Sequence, residues 1–148
     1  MYIENNEVIG YVDIEKITKY NLFDICMENK DIYKPLKSSI DINLNDYFEI
    51  RSLCVHPDYR GADIGFKLVS TILDEFKNCN FLVVGLNQTK IGKWLAEKIF
   101  VRLNFTKFAE KANYWYSHSV KYKYNCNLCL KEPNDTSCCR CSGSVWLL

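Results

Sequence analysis

His56-Pro57-Asp58-Tyr59-Arg60-Gly61-Ala62-Asp63-Ile64-Gly65 lies between a β-prone run and a run with helical spacing. Residues 48–55 before it are β-prone, and after it Ile64, Leu68, Val69, Ile72, Leu73 and Phe76 recur on one helical face. A strand therefore feeds a helix through a glycine-bearing loop. Gly61 and Gly65 permit close backbone approach. The unpaired N–H groups of the helix's first turn, with the positive end of its dipole, suit an anion such as a pyrophosphate.

Working outward, residues 47–55 change phase: Phe48 and Ile50 share one face, whereas Leu53 and Val55 have the other parity. A bulge near Arg51-Ser52 accounts for the change. Phe81-Leu82-Val83-Val84-Gly85-Leu86 is a continuous apolar run, as expected of a strand covered on both faces and parallel to 47–55. Toward the start, Met1-Tyr2-Ile3-Glu4, the Asn5-Asn6 turn signal and Val8-Ile9-Gly10-Tyr11-Val12-Asp13-Ile14 predict a short hairpin. Residues 15–46 make a long connection with a helix around 21–28 and a breaker at Tyr33-Lys34-Pro35. Farther on, Ile91, Trp94, Leu95, Ile99 and Leu103 mark the inner face of a helix over 90–103, with Lys90, Lys93, Glu97, Lys98 and Arg102 outward. Residues 105–111 and 114–123 alternate and predict a closing hairpin.

The 148 residues, 48% hydrophobic and 14% aromatic, suffice for one good core and not for two large domains. No apolar run reaches the length of a membrane span, and Met1-Tyr2-Ile3-Glu4 lacks the basic-then-apolar pattern of an export signal. A soluble, cytoplasmic chain is expected, with neither membrane nor nucleic acid as partner. Net charge is +1, but residues 1–50 carry 5 Lys and 10 Asp/Glu while 51–148 carry 14 Lys/Arg and 8 Asp/Glu. The basic back half fits a polyanionic ligand, although solvated faces that merely differ give the same count.

Around 47–66 these residues resemble the GCN5-related N-acetyltransferases (GNAT), whose acyl-CoA loop reads Arg/Gln-x-x-Gly-x-Gly/Ala after a strand ending in Val-x-Pro. Here the lead-in is Val55-His56-Pro57 and the loop is Arg60-Gly61-Ala62-Asp63-Ile64-Gly65. Asp63 stands where the family has its middle glycine, and its carboxylate must turn away from a pyrophosphate. The resemblance, over roughly residues 1–117, implies an α/β (α+β) fold: a mixed, centrally splayed sheet with helices on both faces. The domain would cover residues 1–123 and lack the family's usual first strand and helices, with the insert at 15–46 replacing the lost acceptor wall. The implied donor is acetyl-CoA. Backbone at Leu53, Cys54 and Val55 would hold its pantetheine arm, and Arg60, Gly61, Ala62, Asp63, Ile64, Gly65 and Phe66 its pyrophosphate. Asn87 sits where the family often bonds the pantetheine or acceptor.

The implied activity is acetyl transfer to a primary amine of a small molecule or protein by direct attack in a ternary complex. Two other readings stay open: an N-acyl amino acid or lactone synthase of similar fold using acyl carrier protein, and a catalytically weak remnant serving as an interaction module. The transfer needs a proton acceptor and a donor to the leaving thiolate. Glu49, six residues before Val55, matches the catalytic glutamate of the family's histone-acetyltransferase branch. The family's thiolate donor is a tyrosine, but Phe100 stands at that position and has no proton to give. Tyr114 and Tyr116 are the nearest hydroxyls in sequence.

The end of the chain carries a separate signal. Cys126-x-x-Cys129 and Cys138-Cys139-Arg140-Cys141 form two CxxC pairs with eight residues between them. Cys126, Cys129, Cys138 and Cys141 can close a tetrahedral zinc site like a short zinc ribbon, leaving Cys139 over. The metal would then fold a small cysteine-rich C-terminal segment, 124–148, with disulfides as the alternative.

Overall fold

The computed structural model describes residues 1–42, 45–87, 96–125 and 142–148. β1 (Tyr2–Glu4) and β2 (Glu7–Lys16) form the expected hairpin. Asn5 and Asn6 turn it with φ of 50° and 65°, the left-handed pair that matches the twist of a tight hairpin. Two helices follow, α1 (Leu22–Ile25) and α2 (Lys30–Ser39). The breaker expected at Tyr33-Lys34-Pro35 does not break, because Pro35 lies inside α2. Proline there forgoes a helical hydrogen bond. Ile32 and Leu36, one turn apart, are buried, and the Asn29 side chain caps the start by accepting from the Asp31 amide at 3.1 Å. Packing and cap offset the lost bond.

β3 (Tyr47–Val55) leads through a short 3₁₀ turn, Pro57–Tyr59, into α3 (Ile64–Glu75) and back to β4 (Asn80–Asn87), which runs parallel to β3. Of the helix expected over 90–103, the described part is a π-type turn, Ala96–Phe100. β5 (Thr106–Ala112), α4 (Tyr116–Tyr122) and β6 (Ser142–Leu147) complete the chain. Among the described residues six strands form one mixed sheet in the order β1-β2-β3-β4-β6-β5.

Two expectations are corrected here. Residues 114–123 do not pair with β5. Asn113, at φ 56°, turns the chain out of the strand, and α4 forms with Ser119 buried and its Oγ donating back to the Trp115 carbonyl at 2.9 Å. The second correction concerns the boundary at 123/124. Ser142–Leu147, assigned to a separate segment, fills the gap between β4 and β5 and is antiparallel to both. Ser144, Val145 and Trp146 are buried, so the last strand belongs to the main core. The cysteine-bearing residues 126–141 lie outside the described residues.

One face of the sheet is covered by α3, where Ile50, Phe81, Val83 and Trp146 pack with Val69, Phe100 and Phe105. On the opposite face Leu22, Ile25, Ile32 and Leu36 of α1 and α2 pack with Leu82 and Val145 of β4 and β6 and with Tyr114. The insert thus walls the face opposite α3. Among the described residues no helix is long and apolar enough to cross a membrane.

Candidate active site

The expected bulge is present at Arg51. β2 pairs Asp13 with Ser52 and then Ile14 with Ile50, so Arg51 is the extra residue of β3. Its consequence lies on the other edge of the strand. β3 and β4 pair only through Tyr47↔Asn80, Phe48↔Phe81 and Glu49↔Leu82, whereas β4 stays paired with β6 as far as Asn87. Beyond Glu49 the two parallel strands part. The β4-side backbone groups of residues 50–55 are left without a strand partner among the described residues, and such groups are costly unless something bonds them.

The mouth of this fork is the glycine-bearing loop. Gly61 has φ +95° with nothing within 4 Å of where a Cβ would stand, so the backbone is open there. Asp63, at φ 57°, precedes α3 without capping it, and among the described residues no side chain accepts from the first-turn amides of Ile64, Gly65 and Phe66. Lys67 N–H already donates to the Asp63 carbonyl at 3.0 Å. The Asp63 carboxylate does turn away. Arg102 Nη1 holds its Oδ1 at 3.0 Å, with the guanidinium 4.0 Å from the centre of the Phe66 ring. Arg102, which helical spacing predicts only to face outward, thus has a defined partner, and the unmatched carboxylate at a glycine position is the sequence signal for it. Arg60 Nε donates to the Val55 carbonyl at 3.2 Å and pins the strand end to the loop.

Of the strand residues, Leu53 and Val55 face α3, and Cys54 is exposed on the other side, opposite Tyr11. Asn87 pairs through its backbone with Gly143, and its side chain lies outside the described residues.

Glu49 sits at the fork, on the last residue pair before β3 and β4 separate. It is buried, 8% exposed, and no side-chain hydrogen bond reaches its carboxylate among the described residues. Burial raises its pKa from 4.5 to about 7; Arg51 pulls it down, while Glu15 and Asp13 push it up. Tyr114, 1% exposed, has a buried hydroxyl without a partner, and burial drives its pKa up, helped by Cys26 and Glu49. Cys26 is fully buried and pushed to about 12 by burial, with the Glu49 charge adding to it, so it stays a thiol. Tyr114 and Cys26 share one buried cluster on the face opposite α3, and the Glu49 charge acts on both. Tyr116 is half-buried at the start of α4, and no interaction brings its hydroxyl to this group. Phe100 is buried against Phe105 at 5.1 Å on the α3 face and offers no donor.

Among the described residues no three of His, Cys, Asp or Glu are grouped to hold a metal. The zinc ligands expected at Cys126, Cys129, Cys138 and Cys141 lie outside the described residues.

Solved structures share this architecture. Arabidopsis thaliana NAA60, solved in complex with acetyl-CoA, superposes with a TM-score of 0.55 at 14% identity over 96% of this chain and 65% of its own. A mosquito arylalkylamine N-acetyltransferase like 5b gives 0.53 at 17% identity, over 95% of this chain and 68% of its own. A Drosophila melanogaster polyamine N-acetyltransferase gives 0.56 at 12% identity, over 99% and 71%. The chain thus spans less than two thirds of the Arabidopsis protein's length. No curated protein matches the sequence. The sequence profile of the acetyltransferase (GNAT) family matches residues 1–92, from β1 through the fork and loop to just past β4. By that match, and by the sheet that opens beside Glu49, the chain belongs to the acetyltransferase (GNAT) family.

Proposed function

We propose that the chain moves an acetyl group from acetyl-CoA to a primary amine of a small molecule or protein, by direct attack in a ternary complex. The observation that carries this is the position of Glu49, a buried carboxylate without a side-chain hydrogen bond among the described residues, at the point where β3 and β4 part. The residues present fit acetyl-CoA. The uncapped α3 amides, Arg60 and the open backbone at Gly61 suit its pyrophosphate, and the unpaired β3 edge suits the amides of its pantetheine arm. When bound it supplies an acyl group activated as a thioester. The Arabidopsis structure contains acetyl-CoA, and the Drosophila structure's name describes formation of N-acetylagmatine.

Glu49 takes the proton that the amine loses as nitrogen bonds to the acetyl carbon and the carbon–sulfur bond breaks. A carboxyl titrating near 7 is matched to that task at neutral pH. Tyr114 keeps its proton, so it serves by donating a hydrogen bond to the departing sulfur. Phe100 favours a second reading, a domain that binds CoA without turnover, and thiol release with a panel of amines separates the two.

Arg60→Glu is expected to abolish acetyl-CoA binding by calorimetry, because it reverses charge beside the uncapped amides. Asp63→Gly should instead tighten binding several-fold by freeing Arg102 and suiting the left-handed φ. Equal affinities in wild type and Arg60→Glu would remove the loop from the cofactor site.

The spacing of Cys126, Cys129, Cys138 and Cys141 supports a structural zinc in the segment between α4 and β6. Elemental analysis should return about one zinc per chain, retained in Cys139→Ser and lost in Cys129→Ser. A metal-free protein with these cysteines paired as disulfides would overturn that reading.

A further inference from the structure

We propose that the acceptor is a short alkyl diamine or polyamine whose second ammonium is held by Glu15 and Asp13 while its attacking nitrogen lies at Glu49. This rests on the acetyl-transfer reading above and names the acceptor class for the same site.

Glu15 pairs directly with Glu49 across β2 and β3, so the two side chains stand on one face about 5 Å apart at Cβ. Asp13, two residues away on β2, shares that face. Tyr11, Asp13, Arg51 and Cys54 are exposed there, so a ligand can reach Asp13 and Glu15 from solvent, one cross-strand pair away from Glu49. Two separate features point to a bound group. Among the described residues the buried Glu49 carboxylate has no hydrogen-bond partner, and the buried Tyr114 hydroxyl, on which the Glu49 charge acts, has none either.

The protein already sets one cation on this strip. Arg51, thrown out by the bulge, places Nη1 2.9 Å from Glu15 and Nε 3.9 Å from Asp13. All three side chains are substantially exposed, so Arg51 can swing away and yield its place. With Arg51 counted, ionised Asp13, Glu15 and Glu49 still leave an excess of negative charge facing the acceptor. A monoamine uses only the attacking end. The cross-strand spacing selects a spacer of about three to five carbons between nitrogens.

The experiment compares putrescine with butylamine as acceptors, by thiol release from acetyl-CoA. Wild type should favour putrescine at least roughly tenfold in kcat/KM, through KM. Glu15→Gln should bring that preference down toward parity. Arg51→Gln should increase it, because the competing cation is gone; a variant that merely damaged the fold would not move the ratio upward. Equal use of the two amines by wild type, or a ratio unmoved by either substitution, overturns the proposal. Calorimetric titration of the CoA-loaded protein with putrescine reads the same site without chemistry. If putrescine binds wild type and not Glu15→Gln while no amine is acetylated, the diamine site stands and the transferase reading falls. If amines are acetylated and putrescine has no advantage, the reverse holds.

Discussion

Glu49→Gln is expected to lower turnover about 100-fold with little change in acetyl-CoA affinity, and to raise thermal stability at pH 8. Both effects come from the burial of one carboxyl. In the folded chain it holds its proton up to about pH 7, whereas in the unfolded chain it releases it near the ordinary 4.5. Between those values the folded state binds the extra proton, so stability falls as pH rises through that window. Above pH 7 ionised Glu49 costs the fold roughly 3 kcal/mol, the free-energy equivalent of that pKa difference. Glutamine carries no charge to desolvate, and after the cost of its own buried amide it should leave a gain of about 1–2 kcal/mol. The wild-type rate should climb with pH and level off above an apparent pKa of about 7, the side on which the base is free. Unchanged turnover would assign proton removal to water, and a large fall in melting temperature would make Glu49 structural.

Truncation after Lys123 is expected to unfold the domain rather than trim a dispensable appendage. β6 lies between β4 and β5, and among the described residues it is the strand through which β5 joins the sheet. Removing β6 strips a ladder from each neighbour and takes away the buried Val145 and Trp146, each worth about 1.5–3 kcal/mol of burial. Against a total stability of about 5–15 kcal/mol the combined loss is decisive. Replacing 126–141 with a flexible linker of equal length should keep the circular dichroism of the fold. Gly143→Ala offers a finer probe. A Cβ there would stand 2.4 Å from Tyr114 Cγ, so β6 and the aromatic cannot both keep their places. A loss of about 3 kcal/mol or more is expected in denaturant unfolding. A truncated chain that folds and binds acetyl-CoA would restore the boundary at 123/124.

What the sequence by itself determined is local. The Asn5-Asn6 hairpin, the bulge announced by the phase change between Ile50 and Leu53, the strand-loop-helix around Gly61 and the apolar strand parallel to 47–55 all follow from short-range periodicity and backbone preference. Glu49 could be placed by its distance from Val55, but its burial could not, since that depends on α1, α2 and the turn at Tyr114 packing over one face. The tertiary structure alone decided the rest. β6 is six residues long and follows a cysteine spacing that suggests a metal, and nothing within it states that its partners are 56 to 65 residues earlier on one side and β5 on the other. Arg102 meets Asp63 across 39 residues, a contact invisible to any local pattern. Pro35 stays inside a helix because Ile32 and Leu36 find a core to fill. Propensity and period act within a few residues, whereas pairing across a sheet and desolvation of a carboxylate are set by whatever the fold brings alongside.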